Sequence, residues 1–408
     1  MKRFFILVAT AALAVMCTSA PKTVPDSLRG TWHGQLDIAG IAMVLHLGDT
    51  CTMDSPDQEA FGLKADIKEV TEESIKLKVK IPGGPGASFQ GTLQNDSLIG
   101  KFSQLGAKTP LALARGPLVR NRPQTPEEPF PYSTEEVTFS NGEITLAGTL
   151  CLADNQDSPV VVMVSGSGKQ DRDETIMGHK PFAVLADALA RSGIPSLRYD
   201  DRECGGSTGV FADATTADFA TDAAAAVRYL RGRGFGKVGV IGHSEGGTIA
   251  FMLAGAGNPD DGTPDFIVSL AGMADRGDST LLRQTTKMLM LQGAPESAAK
   301  IGAKLITMQT KKTGVWGKYF VTLDPAPYLG RIECPVLALN GSKDYQVIPE
   351  FNLSKVETLC PHADCRLYPG LNHLFQHCTT GLGTEYASIE ETMSEEVLAD
   401  IADWVGRQ

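Results

Sequence analysis

Three short strings in the chain hold residue types able to do nucleophilic chemistry. The first is Gly242-His-Ser244-Glu-Gly246, a G-x-S-x-G sequence running on from the apolar Val238-Gly-Val-Ile241. A serine on a sharp turn between a strand and a helix projects its hydroxyl above a sheet, and small residues beside it leave room for the strained backbone. Serine is a weak nucleophile at its own pKa, so it requires a base that titrates near neutrality, and the base requires a carboxylate to fix its tautomer. Asp344, past Pro335-Val-Leu-Ala-Leu-Asn-Gly-Ser-Lys, and His373, past Cys365-Arg-Leu-Tyr-Pro-Gly-Leu-Asn, follow in that order. Taken alone, Asp344 reads as a solvated turn residue. His362 and His377 are the alternative bases, but neither follows a strand and turn directly.

The attacked carbonyl would develop an oxyanion, which needs preorganised N–H donors. One expected donor is the backbone N–H of Glu245, at the start of a helix whose dipole adds to it. The other is the N–H of Ser167, in the glycine-bearing string Ser165-Gly-Ser-Gly-Lys-Gln-Asp-Arg-Asp-Glu174. A phosphate loop is the competing reading of that string, but it lacks the G-K-[ST] ending and spacing. Asp171, Arg172, Asp173 and Glu174, with Asp200, Asp201 and Arg202, are expected to brace these loops through ion pairs.

Such residues need a frame. Pro159-Val-Val-Val-Met-Val164 is wholly apolar, as in a strand buried on both faces, and Phe182 to Arg191 reads as its crossover helix. Further strands are expected at Ser196 to Tyr199, Lys237 to Ile241, Phe266 to Leu270 and Pro335 to Asn340, with helices over Asp218 to Arg231, after Ser244 and over Glu395 to Val405. The hairpin signal Asn141-Gly142 joins two strands ahead of them. Strands alternating with helices predict an α/β sheet over residues 133–408, and a Leu-, Met- and Lys-rich stretch from about Ala274 to Gly330 breaks the rhythm as a helical cap insertion. Met288, Leu289, Met290, Trp316 and Phe320 in that stretch are candidates for an apolar wall over Ser244.

The N-terminal third has another texture. Ile75-Lys-Leu-Lys-Val-Lys-Ile81 alternates strictly, and Thr31 to Ile38, Ile41 to Leu47 and Ser88 to Leu93 read as strands too. A small antiparallel all-β domain, sandwich or barrel, is expected over residues 25–115, with Trp32 as core rather than ligand platform. Prolines at 117, 123, 126, 129 and 131 mark residues 116–132 as a linker.

Lys2 and Arg3 ahead of the apolar run Phe4 to Met16 give residues 1–20 the layout of a signal peptide, with Cys17 a candidate lipoprotein acylation site. The expected location is therefore outside the cytoplasm, in the periplasm or on the cell surface. The seven later cysteines include no C-x-x-C pair, so no metal site is expected, and they read as free or as a bridge among Cys360, Cys365 and Cys378. A net charge of −11 over 408 residues gives no footprint for nucleic acid.

From about Glu135 onward the chain resembles an α/β-hydrolase. More narrowly it is similar to secreted bacterial esterases and the serine aminopeptidase-like branch, through Gly166-Ser-Gly with Asp171-Arg-Asp, Arg198-Tyr-Asp-Asp-Arg-Glu-Cys-Gly-Gly-Ser207 and Gly242-His-Ser-Glu-Gly-Gly247. It departs from them at Glu203, where glycine is usual, and at Lys169, where proline is common. The resemblance implies a cofactor-free serine hydrolase in which Ser244, His373 and Asp344 form a triad, acting on a small-molecule ester. The alternatives are an exopeptidase or amidase, with Glu174 or Glu203 binding a substrate amine, and a non-catalytic surface binding protein.

Overall fold

The computed structural model describes residues 23–36, 41–58, 60–82, 84–153, 158–256 and 262–408. The expected signal segment, with Cys17, lies outside them. The chain divides into two compact units, the second beginning at Arg120.

The first unit is a closed antiparallel barrel of β1 (Gly30–Leu36), β2 (Ile41–Leu47), β3 (Thr52–Ser55), β4 (Ala60–Val70), β5 (Ser74–Val79), β6 (Ala87–Gln94), β7 (Ser97–Gln104) and β8 (Ala107–Arg115). Period-two alternation puts Ile75, Leu77 and Val79 inside. Asn95 and Asp96 carry φ of 47° and 64° in the tight link from β6 to β7, the turn geometry that matches strand twist. Trp32↔Arg115 and His33↔Ala114 pair β1 with β8 and complete the ring. Trp32 is wholly buried, donates its indole N–H to Leu28 O at 2.9 Å and lies under the Arg115 guanidinium. It is core.

The second unit carries β9 (Ser133–Asn141), β10 (Ile144–Leu152), β11 (Val160–Val164), β12 (Ser196–Tyr199), β13 (Val238–His243), β14 (Phe266–Leu270), β15 (Val336–Gly341) and β16 (Asp364–Tyr368) in one sheet, ordered β16-β15-β14-β13-β11-β12-β10-β9. The strands from β11 to β16 are mutually parallel, and the β9–β10 hairpin joins antiparallel at the β12 edge. Helices α1 (Pro181–Arg191), α2 (Thr216–Gly232), α3 (Glu245–Ala256), α4 (Gly277–Leu291), α5 (Glu296–Thr310), α6 (Gly314–Phe320), α7 (Ala326–Leu329), α8 (Leu353–Leu359) and α9 (Glu395–Gly406) surround it or extend from it.

The apolar run of β11 is explained by its two faces. Val160, Val162 and Val164 pack into a cluster with α2 and α3, while Val161 and Met163 pack into another with α1 and α9. Each buried Val contributes about 1.5–3 kcal/mol. α2 starts at Thr216, two residues before the expected Asp218, because Thr215 and Asp218 form a reciprocal capping box. α4 to α7 occupy the chain between β14 and β15.

Most of the stretch read as a linker, from Arg120 to Tyr132, belongs to the second unit. Arg122 donates to Met177 O, Ala387 O and Ile389 O, and Gln124 bridges Thr392, Met393 and Glu395, so residues from Arg120 onward belong to the second unit. Proline excluded a helix there, but it did not prevent side chains from tying an extended strap down.

The chain order of the sheet reverses at β11, with β12 on one side and β13 on the other. Loops leaving the carboxyl ends of β11 and β13 part there and open a crevice. The strings containing Ser167 and Ser244 are those two loops.

Candidate active site

Ser244 is the single residue between β13 and α3, with φ of +54°. A left-handed serine costs about 1–2 kcal/mol, held in place here by the strand and helix it joins. A Cβ on Gly242 would sit 2.0 Å from Gly246 O, and one on Gly246 would sit 2.0 Å from Val164 O, so the turn closes only with hydrogen at both positions. The Ser244 N–H donates to Leu270 O at 2.8 Å.

His373, from the loop after β16, holds Nδ1 2.8 Å from Asp344 Oδ2. Asp344 is fully buried and saturated: Oδ2 also accepts from Asn340 Nδ2, and Oδ1 accepts from the N–H groups of Gln346 and Val347. A carboxylate fixed by these donors holds the imidazole with Nδ1 occupied and Nε2 left for other work. Ser244 and His373 line one cavity of about 260 Å³, together with Ser167 and Glu245. No hydrogen bond joins Ser244 Oγ to His373 among the described residues. His362 reaches Cys334 O and His377 pairs with Glu391, and neither lines this cavity.

The Glu245 N–H belongs to the first turn of α3 and has no intrahelical acceptor, and the Ser167 N–H has no partner among the described residues. The side chain of Glu245, in contrast, is engaged throughout. It accepts from Ser167 Oγ at 2.6 Å, from Thr216 Oγ1 at 2.6 Å and from the Trp316 indole N–H at 2.9 and 3.1 Å. One carboxylate thus ties together the Ser167 loop, the start of α2 and the cap. Burial pushes its pKa up, and the three donors pull against that shift.

A second buried pair sits beside it. Glu174 Oε1 accepts from the Gly166 N–H at 2.7 Å and from His243 Nδ1 at 2.8 Å, while His243 Nε2 lies 3.0 Å from His373 O. A carbonyl only accepts, so Nε2 donates to His373 O, and the Glu174 carboxyl beside Nδ1 favours the protonated ring. Burial alone would lower its pKa, but the Glu174 carboxylate and the His373 carbonyl reverse that and raise it. The His243 and His373 rings are 4.7 Å apart. The pair pins the Gly166 peptide and the His373 backbone at once.

The expected ion-pair bracing is present in part. Arg172 pairs with Asp200 and Glu136, Arg198 and Lys180 with Asp173, and Arg202 with Asp222. Asp171 instead accepts from Asp173 N, Thr175 N and Thr175 Oγ1. Asp201 holds Ser165 Oγ and Gln170 N, and its pKa is pushed up to about 8 by lost solvation, with the Glu174 and Glu245 carboxylates adding to the rise. Glu203 has φ of +60°, which explains why glycine is usual at this point of the resembling strings.

Trp316 and Phe320 stack with centroids 4.8 Å apart and line the cavity, as do Leu281 and Met273. Met288, Leu289 and Met290 do not, because the turn of α4 that carries them lies beyond the crevice. Among the described residues the seven cysteines after Cys17 are free. Among the described residues no three His, Cys, Asp or Glu side chains could hold a metal ion.

The roles of the Glu245 side chain and of His243 were not read from the sequence. The only signal was a Glu and a His flanking the serine, whose partners lie 29 to 130 residues away.

The X-Pro dipeptidyl-peptidase (S15) family matches residues 108–312 of this chain. Esterase EstD of Thermotoga maritima is 28% identical over 264 residues, covering 60% of this chain and 62% of the relative's length. Among solved structures, the proline iminopeptidase of Mycobacterium smegmatis aligns with a TM-score of 0.46 at 16% identity, over 67% of this chain and 98% of the other. An esterase of Pyrococcus furiosus aligns with a TM-score of 0.45 at 18% identity, over 72% of this chain and 99% of the other. With half of its length matched by that family, carrying a G-x-S-x-G turn at the switch point of an α/β sheet, the chain belongs to the X-Pro dipeptidyl-peptidase (S15) family of the α/β-hydrolase superfamily.

Proposed function

We propose that the protein is a serine carboxylesterase acting on small or short-chain acyl esters through an acyl-enzyme. The observation that carries this reading is the strained Ser244 in one cavity with His373, which Asp344 holds at 2.8 Å. Ser244 Oγ attacks the ester carbonyl while His373 Nε2 takes its proton. The N–H groups of Ser167 and Glu245 stabilise the oxyanion. Collapse breaks the carbonyl–alkoxy bond and His373 protonates the departing alcohol. Water, deprotonated by the same imidazole, then releases the acid and restores Ser244.

The cavity of about 260 Å³ between Trp316, Phe320 and Leu281 suits a short acyl group. Each CH₂ accommodated adds at most about 0.8 kcal/mol, so kcat/KM should fall once the pocket is full. The test is a panel of acetyl, butyryl, octanoyl and palmitoyl p-nitrophenyl esters, with fluorophosphonate labelling of the wild type and of Ser244→Ala. Expected are a maximum at acetyl or butyryl, labelling lost in the variant, and kcat lower by about 10⁴-fold or more. Labelling that persists in Ser244→Ala overturns the assignment, and a folded wild type that neither labels nor turns over is a binding protein.

A second reading, an exopeptidase or amidase, is favoured by Glu174, which lines the cavity and whose Oε2 has no hydrogen-bond partner among the described residues. Faster turnover of aminoacyl anilides than of the esters would establish it. The leader over residues 1–20 carries the further proposal of export to the periplasm or cell surface, with Cys17 as a candidate acyl site, which the mass of the mature N-terminus tests.

A further inference from the structure

Helix α5 faces the wrong way for a helix that packs a core. Its buried positions are the small Ala299 and Ala303, while Ile301, Leu305 and Met308 are 63%, 59% and 58% exposed. These three follow i, i+4, i+7 spacing, so they form one outward apolar stripe, and Lys300 and Lys304, with Lys311 just past the helix end, run along one flank at i, i+4, i+11. Met290 and Leu291 at the end of α4, and Val315 in α6, are also exposed apolar side chains of this cap. An amphipathic helix with large apolar side chains toward solvent and lysines beside them has the pattern of one that lies in a bilayer interface.

Charge points to the same occupant. Between Gly277 and Phe320 the cations are Arg283, Lys287, Lys300, Lys304, Lys311, Lys312 and Lys318, against Asp278 and Glu296 alone, so this segment is +5 in a chain of −11. Arg283 pairs with Asp275 and Lys300 with Glu296. Lys304, Lys311, Lys312 and Lys318 have no carboxylate partner among the described residues. A two-fold dimer through this face would press a +5 surface against itself, which disfavours a second copy as the occupant. Beside the stripe an apolar groove of about 340 Å³ is lined by Met290, Ile348 and Phe351 and edged by Lys287, Lys300 and Lys304, able to take an acyl chain below an anionic headgroup. Among the described residues no helix is long and apolar enough to cross a membrane, so the contact would be a surface one.

We propose that the outer face of the cap docks on an anionic phospholipid surface, with Ile301, Leu305 and Met308 entering the headgroup region and the flanking lysines contacting phosphates. This docking is independent of the Ser244 chemistry. The test is sedimentation of the full chain with phosphatidylcholine vesicles and with phosphatidylcholine–phosphatidylglycerol vesicles. Binding is expected only to the second, weakening as salt rises. The I301E/L305E/M308E variant and the K304E/K311E/K312E variant should each lower partitioning by about 100-fold or more. Turnover of a water-soluble acetate ester should stay within about twofold in both, which also reports that they fold. Equal binding of wild type and variants would assign membrane contact to the N-terminal apolar stretch and overturn the proposal. So would absence of binding to phosphatidylglycerol, or a wild-type dimer in light scattering that the same substitutions dissolve.

Discussion

The barrel and the hydrolase unit both bury apolar clusters, but they differ in the polar side chains they bury alongside them. Among the described residues of the barrel, Ser55 is the one polar side chain fully buried, and the interior is Trp32, Phe89, Leu45, Leu77, Leu98 and Leu113 with their neighbours. The hydrolase unit buries Glu174, His179, Asp200, Arg202, Asp222, His243, Glu245, Asp344 and His373. Burying a charge is costly unless it is paired and hydrogen-bonded, and nearly every one of these is. Two buried atoms without a partner, Glu174 Oε2 and Thr280 Oγ1, belong to residues that line the Ser244 cavity. The contrast separates a unit with an almost wholly apolar interior from one whose core also holds polar and ionisable groups around a crevice.

The sharpest way to break that contrast is through the acid. Asp344→Asn should lower kcat by about 10²- to 10⁴-fold, because an amide does not hold His373 in the working tautomer, while the melting temperature changes little. A variant retaining most of its activity would remove Asp344 from the machinery. In the barrel the response should invert: Leu77→Ala, at a wholly buried position, should cost about 2–5 kcal/mol of unfolding free energy for that unit and leave kcat of the folded enzyme unchanged. A loss of turnover without loss of stability would give the barrel a part in the chemistry.

Smaller effects test the buried pairs. His243 has a folded pKa raised above its usual 6.5, so the stability it contributes is complete below pH 6.5 and is lost as pH rises through the folded value, when Nε2 or Nδ1 loses the proton its acceptor needs. Denaturant unfolding of His243→Gln should therefore fall below the wild type by about 1.5–3 kcal/mol under pH 6.5 and converge on it at alkaline pH. Parallel pH profiles for the two proteins would contradict a raised folded pKa at His243. The smallest change expected is at Glu203, held at φ of +60° with its carboxylate accepting from the Phe211 N–H. Glu203→Gly should gain about 1 kcal/mol from relief of the backbone, less whatever the lost contact contributes, and a clear loss would mean the contact outweighs the strain.

Much of the fold was legible because its signals are local. The five-residue apolar run of β11, the strict alternation of β5 and the Asn-Gly turn between β9 and β10 are each contained within a few residues. The Gly-x-Ser-x-Gly string is as local a signal, although only the contact that demands glycine at 242 arises within the turn, and the one at 246 comes from Val164 O of β11, distant in sequence. Asp344 and His373 were found because they stand just beyond the carboxyl ends of two recognisable strands, β15 and β16.

What periodicity could not carry is pairing at a distance. β1 meets β8 across the whole first unit, and only that pairing makes the sheet a barrel. Glu245 was read for its backbone N–H, yet its carboxylate is what joins Ser167, Thr216 and Trp316. Glu174 was read as a loop brace, yet its partner is the histidine next to the nucleophile. Met288 to Met290 were apolar enough to wall the crevice, but helix direction places them elsewhere, while Trp316 reaches it. The amino-acid sequence by itself determined which strands and turns form and which serine, acid and base stand at their ends, because short-range sterics and burial patterns are written within a few residues. Only the tertiary structure decided which buried charges face each other, because that depends on loops converging from several strand ends, and no window of sequence contains more than one of them.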